Sequence, residues 1–102
     1  MITITFKSED GECRGFDAFG HAGYAPEGRD IICAAVSALT QGTVSAIKEL
    51  SSCKVTEEGG SGSLKFRIYN PDQTAIILLA GLEIALQDIQ TEYGTYVEVC
   101  HG

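Results

Sequence analysis

The sequence predicts an α+β fold: a single, mostly antiparallel five-stranded sheet with two helices on one face, in the order ββαββαβ. Three features carry that prediction. Several short stretches alternate apolar and polar residues, the pattern of half-buried strands. Two longer stretches repeat apolar residues at spacings of three and four, the pattern of amphipathic helices. Glycine, aspartate and proline punctuate the boundaries. The 102 residues suffice for one core, so the chain reads as a single domain over 1–102.

Ile2, Ile4 and Phe6 face one way and Thr3, Thr5 and Lys7 the other, which makes the first strand. Glu9-Asp10-Gly11 signals a turn. Residues 13–20 return as a second strand, with Phe16 and Ala18 on one face and Asp17 and Phe19 on the other. A loop holding Gly20, Gly23, Pro26 and Gly28 leads into a helix from about Ile31 to Ser51. Its predicted buried stripe is Ile32, Val36, Leu39, Ile47 and Leu50, with Thr43 in the gap. Two strands are expected near 53–57 and 63–69, joined by Glu58-Gly59-Gly60-Ser61-Gly62. Asn70 suits an N-cap, Pro71 the first helical position and Gln73 a capping box, which starts a second helix. Leu78, Leu82, Ala85 and Ile89 form its predicted stripe, and Gly94 ends it through a left-handed backbone. Thr95 to Cys100 is the last strand. Ile76, Ile77, Leu78 and Leu79 make the second helix apolar nearly all round, more than one sheet face needs. That surplus points to a homodimer.

The charge is −7, from 7 Lys and Arg against 14 Asp and Glu. Binding to a phosphate backbone needs clustered cations, so no direct nucleic-acid binding is expected. An acidic surface serves solubility and also suits a basic protein partner. The first residues read as a strand and not as a basic stretch followed by an apolar one, so no signal peptide is expected. The longest strongly apolar run, Ala75 to Leu82, falls short of the roughly 20 residues of a membrane span, so no membrane is expected. Cysteines at 13, 33, 53 and 100 without an export signal imply free thiols in a reducing, cytoplasmic setting. They form no C-x-x-C and fit no usual zinc spacing, so neither a metal nor another cofactor is expected.

The chemistry concentrates between residues 20 and 37. With Asp30 as N-cap, Cys33 is the third residue of the first helix. The free N–H groups of a helix start stabilise negative charge, and a thiol attacks carbon only as a thiolate. Cys33 falls roughly 100° from the centre of the buried stripe, at the rim of the core, beside Ser37. A small buried hydrophobe is the alternative role for such a thiol. His21 leaves the second strand where the chain turns back to start the helix, so the two side chains are expected to meet. Alone, His21 reads as a cap on the sheet edge; coupled to a helix-start cysteine it reads as a base. Asp30 has two roles open to it: it caps the helix, or it orients the His21 ring as in a triad. Its charge opposes a thiolate, while the helix start and an imidazolium favour one. Gly20, Gly23, Tyr24 and Gly28 lie on the connecting loop, read either as a flap over a peptide or as an ordinary connector.

Gly20-His21-Ala22, then Asp30-Ile31-Ile32-Cys33-Ala34 with Ser37, and the late Glu92-Tyr93, resemble the ribosomal-processing cysteine protease family Prp. The similarity runs along the whole chain and departs from the family in the loop from Ala22 to Arg29. The resemblance implies a cytoplasmic, homodimeric endopeptidase with a mobile loop before the helix. Its implied substrate is the N-terminal extension of large-subunit ribosomal protein twenty-seven, whose scissile sequence is apolar and ends in Phe-Phe-Ala. The family's nucleophile falls on Cys33 and its histidine on His21, with Asp30 and Ser37 in supporting roles.

In the implied acyl transfer, helix-start N–H groups such as those of Cys33 and Ala34 stabilise the oxyanion. If Asp30 occupies the Cys33 N–H, loop N–H groups must serve. Two rivals are a peptide-binding assembly or adaptor module that uses a sheet edge, and a thiol redox or metal protein.

Overall fold

The computed structural model describes residues 1–26 and 29–102; Gly28 lies outside the described residues. The order is β1 (Ile2–Glu9), β2 (Glu12–Gly20), α1 (Ile31–Leu50), β3 (Lys54–Gly60), β4 (Ser63–Tyr69), α2 (Gln73–Tyr93) and β5 (Val97–His101). One sheet runs β3-β4-β2-β1-β5. Every pairing is antiparallel except that of β1 with β5, which is parallel. Helices α1 and α2 pack on each other, and α2 also packs on β2 and β5, which places both on one face. The predicted α+β sheet of five strands and two helices is therefore the observed one.

Alternation in the strands sets the core. Phe6, Phe16 and Phe66 lie side by side across β1, β2 and β4 and are almost fully buried. Their ring centroids are 6.1 and 5.7 Å apart, tilted and not face to face, as ring quadrupoles prefer. Ile2, Ile4, Ile68 and Val97 extend this layer, and Ile32, Val36, Ile47, Leu79, Leu82 and Leu86 close it from the helices.

Five local expectations shift. The α1 stripe is Ile32, Val36, Thr40, Val44 and Ile47, while Leu39 and Thr43 are half-buried and Leu50 is 66% exposed. Thr40 enters the core because its hydroxyl donates to the Val36 carbonyl at 2.9 Å, so no polar atom is left unpaired. The α2 stripe is Ala75, Leu79, Leu82 and Leu86, with Leu78, Ala85 and Ile89 half-buried at its margin. Because α2 is apolar nearly all round, packing chooses its face and periodicity does not.

The N-cap of α2 is Asp72 and not Asn70, whose φ of 52° puts it in a left-handed turn before the helix. The Asp72 carboxylate accepts from Ala75 N–H, Ser52 N–H and the Ser51 and Ser52 hydroxyls, joining the start of α2 to the end of α1. Gly94 is right-handed (φ −60°, ψ −17°), and the chain leaves α2 through a Tyr96 N–H to Tyr93 carbonyl bond of 2.8 Å. The apolarity of α1 and α2, taken by length and composition, would suffice to cross a membrane. Part of it is spent on the stripes against the sheet.

The strand β3 runs to Gly60, so the expected five-residue connection shrinks to Ser61-Gly62. This tight hairpin brings Gly62 under the end of β2, where the chemistry lies.

Candidate active site

The site is assembled where β2 ends. Gly20 has φ +98°, and a Cβ there would sit 2.4 Å from the Met1 carbonyl oxygen, so only glycine fits. Its N–H donates to the Gly62 carbonyl at 2.8 Å, which ties the end of β2 to the β3–β4 turn. The His21 ring consequently lies over Gly62. A Cβ added at Gly62, itself at φ +71°, would stand 2.8 Å from His21 Nε2. Gly62→Ala is expected to displace the imidazole, lowering kcat about tenfold or more, and to lower Tm by about a few degrees because alanine is strained at this left-handed position.

Past His21 the chain dips inward. Ala22 is buried at 4% exposure, and its N–H donates to Cys33 Sγ at 3.2 Å. Tyr24 N–H and Ala25 N–H donate to Asp30 Oδ2 at 3.0 and 3.4 Å. The N–H groups of Ile32 and Cys33 each donate to Asp30 Oδ1 at 3.0 Å. One carboxylate therefore caps α1 with one oxygen and closes the preceding loop with the other. Partial burial pushes the Asp30 carboxyl up, but the N–H groups of Cys33, Tyr24, Ala25 and Ile32 outweigh that and hold it below the ordinary 3.8. Among the described residues neither Asp30 nor Cys33 is hydrogen-bonded to the His21 ring, so capping and loop closure are what Asp30 does here.

Two cavities meet at this point. The larger, about 460 Å³, is lined by His21, Gly23, Ala25, Asp30, Ile31 and Cys33 together with Arg29, Ala34 and Ser37. The smaller, about 150 Å³, is also lined by His21, Cys33 and Ser37, together with Phe19, Gln41 and Gly62 among others. His21, Cys33 and Ser37, which the sequence singled out, thus share both cavities. Ser37 stands one turn after Cys33, on the same side of α1. Tyr24 is absent from both linings; its ring packs edge-on against Tyr96 and Tyr93, at centroid distances of 5.1 and 6.2 Å, and anchors the loop to the end of α2.

Sequence reasoning missed three contributors. The Ala22 N–H has no side-chain signature. Gly62 is forty-one positions from the histidine it carries, and only the fold joins them. Ile31, 60% exposed in the cavity lining, had a usable signal as an apolar residue just ahead of a helix-start cysteine.

Other thiols differ in setting. Burial pushes the Cys13 thiol up, and a hydrogen bond to the Glu98 carboxylate raises that of Cys100.

Comparisons with known proteins agree on one family. The model of the family described as "Cysteine protease Prp" matches residues 1–98. The ribosomal processing cysteine protease Prp of Bacillus subtilis is 32% identical over 101 residues, covering 91% of this chain and 90% of its own. The Prp of Staphylococcus aureus strain Mu50 is 31% identical and covers 97% of both chains. The essential ribosomal processing protease Prp from S. aureus, solved with a covalently linked product peptide, matches with TM-score 0.95 at 28% identity over the full length of both chains. The same protease with a substrate peptide matches at 0.89 and 27% identity.

Proposed function

The chain belongs to the Prp family of cysteine proteases, and from that premise we propose that it removes the N-terminal extension of large-subunit ribosomal protein twenty-seven, with Cys33 as nucleophile and His21 as base. The observation that carries this reading is the shared edge of two cavities. Cys33 and His21 line both cavities, so a peptide held in either has the thiol and the imidazole in its walls.

His21 takes the thiol proton and the sulfur attacks the scissile carbonyl carbon, giving a tetrahedral oxyanion. The Cys33 N–H is held by Asp30 Oδ1, and the Ala34 N–H by the Asp30 carbonyl at 3.1 Å. The helix start is therefore occupied, and the oxyanion draws on loop N–H groups. Ala22 N–H, already on the sulfur, and Gly23 beside it are the donors within the site. The C–N bond breaks as His21 returns its proton to the leaving amine. Water, deprotonated by His21, then attacks the thioester carbonyl and releases the acid and the free thiol. Asp30 acts as a positioning residue, and Ser37 supplies a hydroxyl on the cavity wall one turn from the sulfur.

The apolar wall formed by Ile31, Ala34 and Ala25 suits aromatic side chains next to the scissile bond. The net charge of −7 favours approach of a basic ribosomal protein. We place the reaction in the cytoplasm, where the four free cysteines stay reduced. Ile77 and Ile84, 59% and 62% exposed on α2, support a homodimer, which sedimentation at twice the chain mass would test. The function is tested by incubating the protein with a peptide spanning the extension and reading products by mass spectrometry. One cut at the Phe-Phe-Ala junction is expected, and an intact peptide after prolonged incubation would refute the assignment.

A further inference from the structure

The layer between α1 and the sheet is not filled along its whole length. On β3 the positions that face α1 are Val55, Glu57 and Gly59, set by their pairing with Ile68, Phe66 and Leu64. Only Val55 is apolar and sizeable, and it alone in β3 is even half-buried. The opposing residues of α1, Gln41, Ser45 and Lys48, are exposed and polar. Between the two surfaces lies a groove of about 320 Å³, closed at its far end by the Lys48–Glu57 ion pair. It shares Gln41, Gly60, Ser63 and Leu64 with the smaller cavity, which in turn holds Cys33 and His21. The two cavities thus adjoin across those four residues, between the thiol and Lys48.

Glycine weakens a strand interior and commonly marks the close approach of another backbone. Nothing inside the protein demands one at position 59: its φ is not in the left-handed range, and an added Cβ would make ordinary contacts, 3.4 Å to the Ser63 carbonyl oxygen and 3.6 Å to Leu64. The missing side chain leaves the groove open instead.

We propose that this groove is an extended subsite that takes a polar flank of the polypeptide substrate, carrying it from Cys33 along α1 to the Lys48–Glu57 pair. The inference rests on the peptidase reading of Cys33. The span from Cys33 to Lys48 along the helix is about 22 Å, the length of six or seven extended residues. The polar walls and the paired end charges select hydrophilic residues there, in contrast to the apolar wall beside Ile31.

Binding separates this proposal from the chemistry. Peptides bearing the Phe-Phe-Ala junction, with none or six Ser, Lys and Gly residues added at either end, are titrated against the Cys33→Ser protein by fluorescence anisotropy. Extension at one end is expected to tighten binding about tenfold. Adding Gly59→Val, or independently Ser45→Phe at an exposed helix position, is expected to erase that gain while the thermal melt stays that of the parent. Equal gain with and without both substitutions, or no gain from either extension, would overturn the subsite. If the native protein cuts no peptide of any length, the peptidase reading fails, and that outcome is seen in the cleavage assay and not in this one.

Discussion

Iodoacetamide at neutral pH is expected to label Cys33 about ten- to thirtyfold faster than Cys13, Cys53 or Cys100, and His21→Ala is expected to abolish that preference. A thiol attacks carbon only as its anion, so the proton transfer to His21 proposed for the cleavage step is expected to speed alkylation as well. The surroundings widen the contrast. Cys33 Sγ receives the Ala22 N–H, which stabilises a sulfur anion. Cys13 is disfavoured by burial, and Cys100 by the Glu98 carboxylate that its thiol contacts at 3.1 Å. Peptide mapping after a timed pulse reads all four sites in one sample. In the cleavage assay Cys33→Ser is expected to lose at least about a thousandfold in rate, because a serine hydroxyl without a dedicated activating network is a poor nucleophile. Equal labelling of the four thiols would instead favour a module that binds peptide without cutting it, and cleavage surviving in Cys33→Ser would show that another residue is the nucleophile.

What the sequence revealed and what it concealed divide along a physical line. Asp30 and Cys33 were legible because a cap, its helix and the position three residues later are local. Strand faces were legible because Ile2, Ile4 and Phe6 alternate over a run long enough to fix them. The cap of α2 was misplaced because Asn70 and Asp72 are both good caps two positions apart. Ser51 and Ser52, twenty positions upstream, decide between them by bonding Asp72. The α1 stripe was rotated because Leu39 outweighs Thr40 on any hydrophobic scale. The hydroxyl bond that lets threonine be buried is invisible until the helix exists. The site shows the same division. That His21 and Cys33 line the same cavities follows from one short loop, whereas the support of His21 by Gly62 requires β3 and β4 to be placed first.

Removing the Asp30 side chain is expected to have the largest effect of any change outside the reacting pair, and comparison with asparagine separates its two duties. Asp30→Ala leaves four N–H groups without their acceptor, two at the start of α1 and two in the loop. The helix end frays and Ala22, which the loop holds against the sulfur, loses its anchor. A fall of several degrees in Tm and a loss of about a hundredfold in kcat/KM are expected, the penalty of roughly an ångström of misplacement. Asp30→Asn keeps one acceptor oxygen for Ile32 and Cys33 but offers an NH2 to Tyr24 and Ala25, which donate and cannot receive from it. Its melt should lie near that of the parent while cleavage stays low. If Asp30→Asn instead keeps both properties near those of the parent, the carboxylate is a cap and nothing more. Acid titration gives a second reading. The folded Asp30 carboxyl sits below 3.8, so its contribution is complete above the unfolded value and is lost as pH falls through the folded one. Asp72 adds to the same limb. Bonds from Ala75 N–H, Ser52 N–H and the Ser51 hydroxyl hold it at about 2, so its share disappears between about 4 and about 2. In Asp30→Asn the acid unfolding curve should therefore lose the part of its fall below pH 3.8 that Asp30 supplies and keep the loss toward about pH 2, while Asp72→Asn should remove that lower part.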